Sequence, residues 1–322
     1  MGTAAQAVRS TLTKPIAVRG LRLPAPALLV LAAVGGCLLL VVAVNRWASP
    51  QDEHAYWLAG QRLLGGAPLY DPTATAVTPY AYWYPPPLAQ VVAPVSALLS
   101  STQFSWAWTG LLLACLLWLG RGRPLVALAL VAFVPVAVEL WFRNVHLVLA
   151  VIVALAILRW PWMFAIGAIV KLAPGLGIVY LLVRGRWRDA MIAVALGLAI
   201  VALSGIVDPG AWAAFVDAMR GRGPGDVSGL VPIPYLVRAV AGLVLTVIAG
   251  RLTPRIGEPL LIVAIVVASP TLWLDALAMM AAIVPVVWVR SEAAGAMTRE
   301  LEASRRSGPD PDEDNAVRVV AR

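Results

Sequence analysis

The feature that most constrains this chain is its succession of apolar blocks, each about 15 to 23 residues long and separated by short polar connections. A helix needs about 20 apolar residues to cross a bilayer, and a series of such blocks exceeds anything a cleaved leader explains. The chain therefore reads as an all-α polytopic membrane protein. Its 61% hydrophobic and 13% charged residues exclude an ordinary soluble domain, in which about a quarter of residues are charged. The net charge of +8 does not indicate nucleic acid, because the basic residues are scattered through short connections and two tails. With two histidines, zinc-ligand spacing is absent. No metal set and no cofactor is expected, and dependence on a divalent ion is not legible in these residues.

Charge asymmetry orients the blocks. Residues 1–24 carry Arg9, Lys14, Arg19 and Arg22 without an acid and are expected as a cytoplasmic tail. Residues 25–44 then cross outward into a first external loop, 45–85. Residues 86–100 are too short for a full crossing and are expected to dip into the membrane. Spans follow at 104–119, 124–142 and 145–158. The segment 161–183 lies between Arg159 and the Arg184, Arg186, Arg188 group, and Lys171, Pro174, Gly175 and Gly177 interrupt it. Two half-helices that enter and leave on one side fit best, since irregular backbone at membrane depth requires shielding or a wet cavity. After 189–207 come an external loop at 208–231, a span at 232–250, and a hairpin of 257–269 and 271–289 turning at Ser269-Pro270. The expectation is about eight crossings, at most ten, plus re-entrant elements within residues 25–290, and a disordered cytoplasmic tail over 291–322. Both termini are cytoplasmic in this scheme.

Polar residues that could carry chemistry gather on the external side. Asp52, Glu53 and Tyr56 open the first loop, Tyr70 lies within it, and Trp83-Tyr84 closes it before Pro85-Pro86-Pro87. Arg143, Asn144 and His146 fall on the same side. A carboxylate at the boundary suits general-base work, and the planar fork of Arg143 suits phosphate oxygens. Taken singly, the aromatics also fit an interfacial belt and Arg143 a snorkelling boundary residue. Lys171 differs, because an intramembrane lysine is costly and implies function.

The motifs together resemble a family. Asp52-x-x-x-Tyr56-x-x-Ala59-x-x-x-Leu63-x-x-Gly66-x-Pro68-Leu69-Tyr70, followed by Tyr82-Trp83-Tyr84-Pro85-Pro86, is similar to the first-loop signature of glycosyltransferase family 87, the polyprenyl-phosphate-mannose-dependent mannosyltransferases. Arg143-Asn144-Val145-His146-Leu147, Lys171-Leu172-Ala173-Pro174-Gly175 and Ser269-Pro270-x-x-Trp273 resemble its later signatures. The resemblance implies a GT-C-like helical bundle in the plasma membrane, with Asp52 as catalytic base and Glu53 as backup. It implies transfer of a hexose, mannose above all, from a polyprenyl-phosphate sugar to a glycolipid or polysaccharide acceptor on the extracytoplasmic face. Arg143, Asn144, His146, Lys171, Tyr56, Tyr70, Trp83 and Tyr84 are the expected substrate-binding residues. The competing readings are a transporter or lipid flippase, and a family member that has kept the fold without the chemistry.

Overall fold

A computed structural model describes residues 25–46, 51–71, 73, 74, 78, 80–220 and 231–306. The N-terminal tail, Arg222 and residues 307–322 lie outside the described residues. The described residues form helices and loops without a strand: α1 (Ala25–Arg46), α2 (Asp52–Leu64), α3 (Pro86–Leu98), α4 (Ser101–Leu119), α5 (Pro124–Val131), α6 (Val134–Phe142) and α7 (His146–Leu158). They continue as α8 (Met163–Val170), a 3-10 turn (Ala173–Gly175), α9 (Leu176–Val183), α10 (Trp187–Val207), α11 (Pro209–Arg220), α12 (Tyr235–Arg251) and α13 (Pro254–Val267). A 3-10 stretch (Leu274–Ala282) then runs into α14 (Ile283–Arg306).

Among the described residues, four stretches are long and apolar enough to cross a membrane: Pro26–Val44, Ser101–Leu119, Trp187–Val207 and Leu274–Ala296, with α5 and α6 a fifth if they count as one broken span. The chain is a helical membrane protein. Helices α1 and α10 turn Val30, Leu40, Val44, Met191, Leu203 and Ile206 outward. Such a face requires a non-aqueous solvent.

Helix α7 runs through the interior. Leu147, Leu149, Ala150, Val153, Ala154 and Ala156 are all buried, and the 3-10 stretch lays Ala276, Ala278, Ala281 and Ala282 into the same core. Small side chains allow this close approach in a protein whose helices gain nothing from hiding apolar surface from lipid. Glycines serve the same end at two crossings. A Cβ on Gly35 of α1 would lie 1.6 Å from the Leu128 carbonyl oxygen of α5, and one on Gly242 of α12 would lie 2.7 Å from the Ala264 carbonyl oxygen of α13.

Several expectations change. The run 124–142 is two helices bent by 88°, because Pro135 lacks an N–H and its ring clashes with the carbonyl four residues back, where α5 ends. Half of the loop expected at 208–231 is helical: α11 opens with Pro209 at its first turn, where a missing N–H costs nothing. The expected tail is helical as far as Arg306. The segment 86–100, expected as a short helix, is one of 13 residues, α3, which lies against α2. There the Gln61 amide donates to the Ser96 carbonyl at 2.6 Å and the Trp57 indole to the Leu99 carbonyl at 2.9 Å.

The segment 161–183 does fold back. A Cβ on Gly177 would sit 2.1 Å from the Phe164 ring, and one on Gly167 would sit 2.8 Å from Pro174. In a continuous helix residues 164 and 177 would be about 20 Å apart. Lys171 lies at the apex of this hairpin.

Candidate active site

Asn144 organises the polar interior. Its residue follows Arg143, which ends α6 in the left-handed region at φ 56°, and it precedes α7, so the carboxamide projects from a tight turn between two apolar helices. Its Nδ2 donates to Asp52 Oδ2 at 2.7 Å and to Asp275 Oδ2 at 3.0 Å. Its Oδ1 accepts from the Tyr56 hydroxyl at 2.9 Å, the Tyr84 hydroxyl at 2.8 Å and the Val145 N–H at 2.8 Å. Both amide protons and the carbonyl oxygen are thereby occupied, which fixes the amide's orientation. Residues 92 and 131 positions away in sequence meet at this one side chain.

A second chain of contacts starts at Glu139. Its Oε1 accepts the backbone N–H of His146 at 2.7 Å and of Leu147 at 3.3 Å, and its Oε2 lies 2.9 Å from His146 Nδ1. On the other side of the ring, Lys171 Nζ lies 2.6 Å from His146 Nε2. Asp275 Oδ2 is 3.4 Å from His146 Nδ1 and joins the two chains. Lys171 also stands 5.5 Å from the centre of the Tyr84 ring.

A cavity of about 950 Å³ opens on these groups. Asp52, Tyr56, Trp83, Tyr84, Asn144, His146, Lys171 and Asp275 line its polar end. Much of the remaining lining is apolar, with Ile169 from α8, Val194 and Leu198 from α10, and Trp212, Phe215 and Met219 from α11. Among the described residues, Lys171 is the one Lys or Arg that lines it. Burial, then the neighbouring Asp275 and Glu139 carboxylates, push the Asp52 carboxyl up to about 7. Such a group exchanges a proton near neutral pH.

Three of the expected site residues stand apart from this cavity. Glu53 is fully buried, accepts from the Ser105 hydroxyl at 2.5 Å and pairs with Arg143 at 3.3 Å, so it is not positioned to replace Asp52. Burial raises its carboxyl above the usual range, against the opposing pull of Ser105 and Arg143. Arg143 is 3% exposed and turns its guanidinium to Glu53, away from the cavity. Tyr70 packs on Tyr82 and Phe215 and donates to the Tyr84 carbonyl at 2.8 Å, which makes it a support for Tyr84.

Glu139 and Asp275 are the additions. Each is a lone carboxylate in an apolar run, VPVAVELWF and LDALAMMAA, and the cost of an intramembrane charge that singles out Lys171 applies equally to both. Glu139, His146 and Asp275 also bring ligand atoms within 4.8 Å of one another, a possible metal trio by donor type. His146 Nδ1 faces both carboxylates, 2.9 Å from Glu139 Oε2 and 3.4 Å from Asp275 Oδ2, and Lys171 Nζ stands at the Nε2 side of the ring.

The family model of glycosyltransferase family 87 matches residues 82–303. The chain belongs to glycosyltransferase family 87. Within the matched span lie Tyr84, Asn144, His146, Lys171 and Asp275, whereas Asp52 and Tyr56 precede it. No curated protein and no solved structure matches the chain. As a family 87 member it is a membrane glycosyltransferase.

Proposed function

We propose that this glycosyltransferase moves a hexose, mannose in the first instance, from a polyprenyl-phosphate sugar to a hydroxyl of a glycolipid or polysaccharide acceptor. The observation that carries the reading is a single cavity whose lining joins a connected group of carboxylates and one lysine to a long series of apolar side chains. A lipid-linked sugar phosphate has the matching make-up. Its prenyl chain would lie along Ile169, Val194, Leu198 and Phe215, its phosphate at Lys171, and its anomeric carbon towards Asp52.

In this mechanism Asp52 takes the proton of the acceptor hydroxyl as the oxygen attacks the anomeric carbon from the face opposite the phosphate. The C–O bond to the phosphate breaks with its electron pair, and the leaving prenyl phosphate gains negative charge beside Lys171. Attack from the opposite face inverts the configuration at that carbon. Asn144 holds the Asp52 carboxylate through one oxygen and leaves the other available to the acceptor. Tyr84 and Trp83 line the same cavity.

The same reading sets the cavity on the extracytoplasmic face of the plasma membrane, as the sparse basic residues of the first loop favour. Replacement of Asp52 by Asn keeps the shape and removes the base. Membranes that contain D52N and are supplied with a polyprenyl-phosphate mannose should form no mannosylated product, with protein amount unchanged. Wild-type turnover by D52N would sink the role of Asp52. Flux of the lipid across sealed vesicles without a new glycosidic bond would instead favour a flippase.

A further inference from the structure

We propose that Trp273, with Thr271 beside it, is a carbohydrate subsite of the cavity, a platform for one hexopyranose ring, and that Arg238 is the positioning residue that holds it in place. The inference rests on the reading of the cavity as a site of hexose transfer and adds the wall on which a sugar ring is seated. It draws on Ser269-Pro270-x-x-Trp273, a motif that the proposed transfer does not use.

The motif ends α13 in a fixed way. The Ser269 hydroxyl donates back to the Ile265 carbonyl at 3.3 Å, and Pro270 has no N–H with which to continue the helix. The last carbonyls of a helix lack intrahelical partners, and a cation there is favourable. Arg238, buried in α12, supplies the cation. Its Nη1 approaches the Val267 carbonyl at 3.5 Å and donates to the Ser269 carbonyl at 2.5 Å, while Nη2 donates to the Pro270 carbonyl at 2.9 Å. Nε donates to the Ile233 carbonyl at 3.2 Å. One guanidinium thus ties the segment before α12 to the segment after α13.

The chain leaves this clamp towards the carboxylates. Trp273 is extended, at φ −84° and ψ 168°, so it and its neighbour point to opposite sides. Leu272 enters the core at 7% exposed, and Trp273 turns to the cavity at 52% exposed. Thr271 lines the same cavity. Two residues beyond Trp273, Asp275 meets Asn144 Nδ2 at 3.0 Å, the nitrogen that also holds Asp52 at 2.7 Å. Two residues span at most about 7 Å, which sets the indole next to the carboxylate group. A pyranose offers a face of C–H groups that packs on an indole and a rim of hydroxyls that need partners. Neither the Trp273 indole N–H nor the Thr271 hydroxyl is hydrogen-bonded to a described residue, and both are available to that rim.

The ring has two sources, the acceptor or the donor, and two arms of one experiment separate them. In the first, the full-length protein in nanodiscs, saturated with prenyl phosphate, is titrated with methyl α-mannopyranoside and methyl α-glucopyranoside and followed by saturation-transfer NMR. In the second, the affinity of prenyl-phosphate mannose is compared with that of prenyl phosphate. An acceptor ring on Trp273 gives saturable hexoside binding that W273A weakens about fivefold or more and W273F partly restores. A donor ring makes prenyl-phosphate mannose the tighter ligand, and W273A erases the difference. Thr271→Val should reduce the same signal by a smaller factor. Arg238→Lys brings one ammonium where several carbonyls need a fork, so it should weaken sugar binding too. In the W273A background it should add nothing, because Arg238 acts through the indole. Should Arg238→Lys fail to fold, Arg238→Gln takes its place in the same cycle.

Sugar binding that is absent from the wild type in both arms overturns the proposal, and so does sugar binding that W273A leaves at wild-type strength. Additive losses in the R238K/W273A pair remove Arg238 from it. Hexose binding that depends on Trp273, without any new glycosidic bond, would refute the proposed reaction and leave the subsite standing.

Discussion

Asp52 owes its chemistry to residues that are distant in sequence. The Asn144 carboxamide fixes one of its oxygens, and burial with two nearby carboxylates raises its pKa from an ordinary 3.8 to about 7. The base proposed for transfer must be ionised to act, so on that reading transfer should fall as pH drops below about 7 and reach a plateau above it. A pH series of initial rates at saturating donor checks this, and a rate independent of pH between 5 and 8 would contradict it. The same shift has a stability consequence of opposite sign. The folded state retains a proton that the unfolded chain has lost between pH 3.8 and about 7, so the stabilisation from protonated Asp52 fades as pH rises through 7. D52N should therefore gain melting temperature over wild type at pH 8 and little at pH 5. Arg143 shows the limit of reading single residues. Its forked guanidinium suggests phosphate, but its partner Glu53 lies ninety positions earlier in the chain and no spacing announces the pair. Because both groups are buried, Arg143→Met strands a carboxylate and should cost about 3–5 kcal/mol. Thermal unfolding in detergent should show that loss, Glu53→Gln should recover part of it, and the donor KM of whatever protein folds should be unchanged. A raised donor KM without a stability loss would return Arg143 to the phosphate site.

The elements carry these residues into place through breaks as much as through helices. Pro135 bends the α5–α6 pair and brings Glu139 beneath α7. The interruption at Lys171 turns α8 back on α9, and the 3-10 stretch presents Asp275. The sequence shows each of these breakers openly. Interruption at Lys171 is legible because basic groups flank the segment on both sides, which makes a single crossing unfavourable. The bend at Pro135 is hidden by the same reasoning, since 124–142 satisfies both length and charge as one span. Glu139 and Asp275 are equally visible as isolated acids in apolar runs, yet their meaning depends on where α7 lies, and that depends on tertiary packing. Close crossings are harder still to read. Gly35 looks like any glycine in an apolar helix, but its missing Cβ admits the backbone of α5. Gly35→Ala should separate α1 from α5 and lower the unfolding temperature, whereas Gly36→Ala, with open space at its Cβ, should be neutral or slightly stabilising. Equal effects at the two positions would mean that the α1–α5 contact contributes nothing to stability.

At the scale of the whole molecule, the helical class, the membrane setting and the family are all legible in the apolar blocks and loop motifs. The count of crossings is not, because several apolar helices, such as α3 and α7, fall short of a span by length alone. Charge placement supplies orientation where length cannot. The proposed function needs the Asp52 end of the cavity outside and the Arg184 to Arg188 connection inside, the disposition that the charge rule favours. Cysteine labelling tests the arrangement directly in intact cells. In a background with Cys37 and Cys115 replaced, Tyr80→Cys at the cavity wall should react with a membrane-impermeant maleimide added outside. Arg188→Cys, in the exposed first turn of α10, should react only after permeabilisation. Prior exposure to prenyl phosphate should slow the Tyr80→Cys reaction if the lipid fills the cavity that this residue lines. Labelling of Arg188→Cys in sealed cells, with Tyr80→Cys silent, would invert the protein in the membrane and move the proposed reaction to the cytoplasmic face.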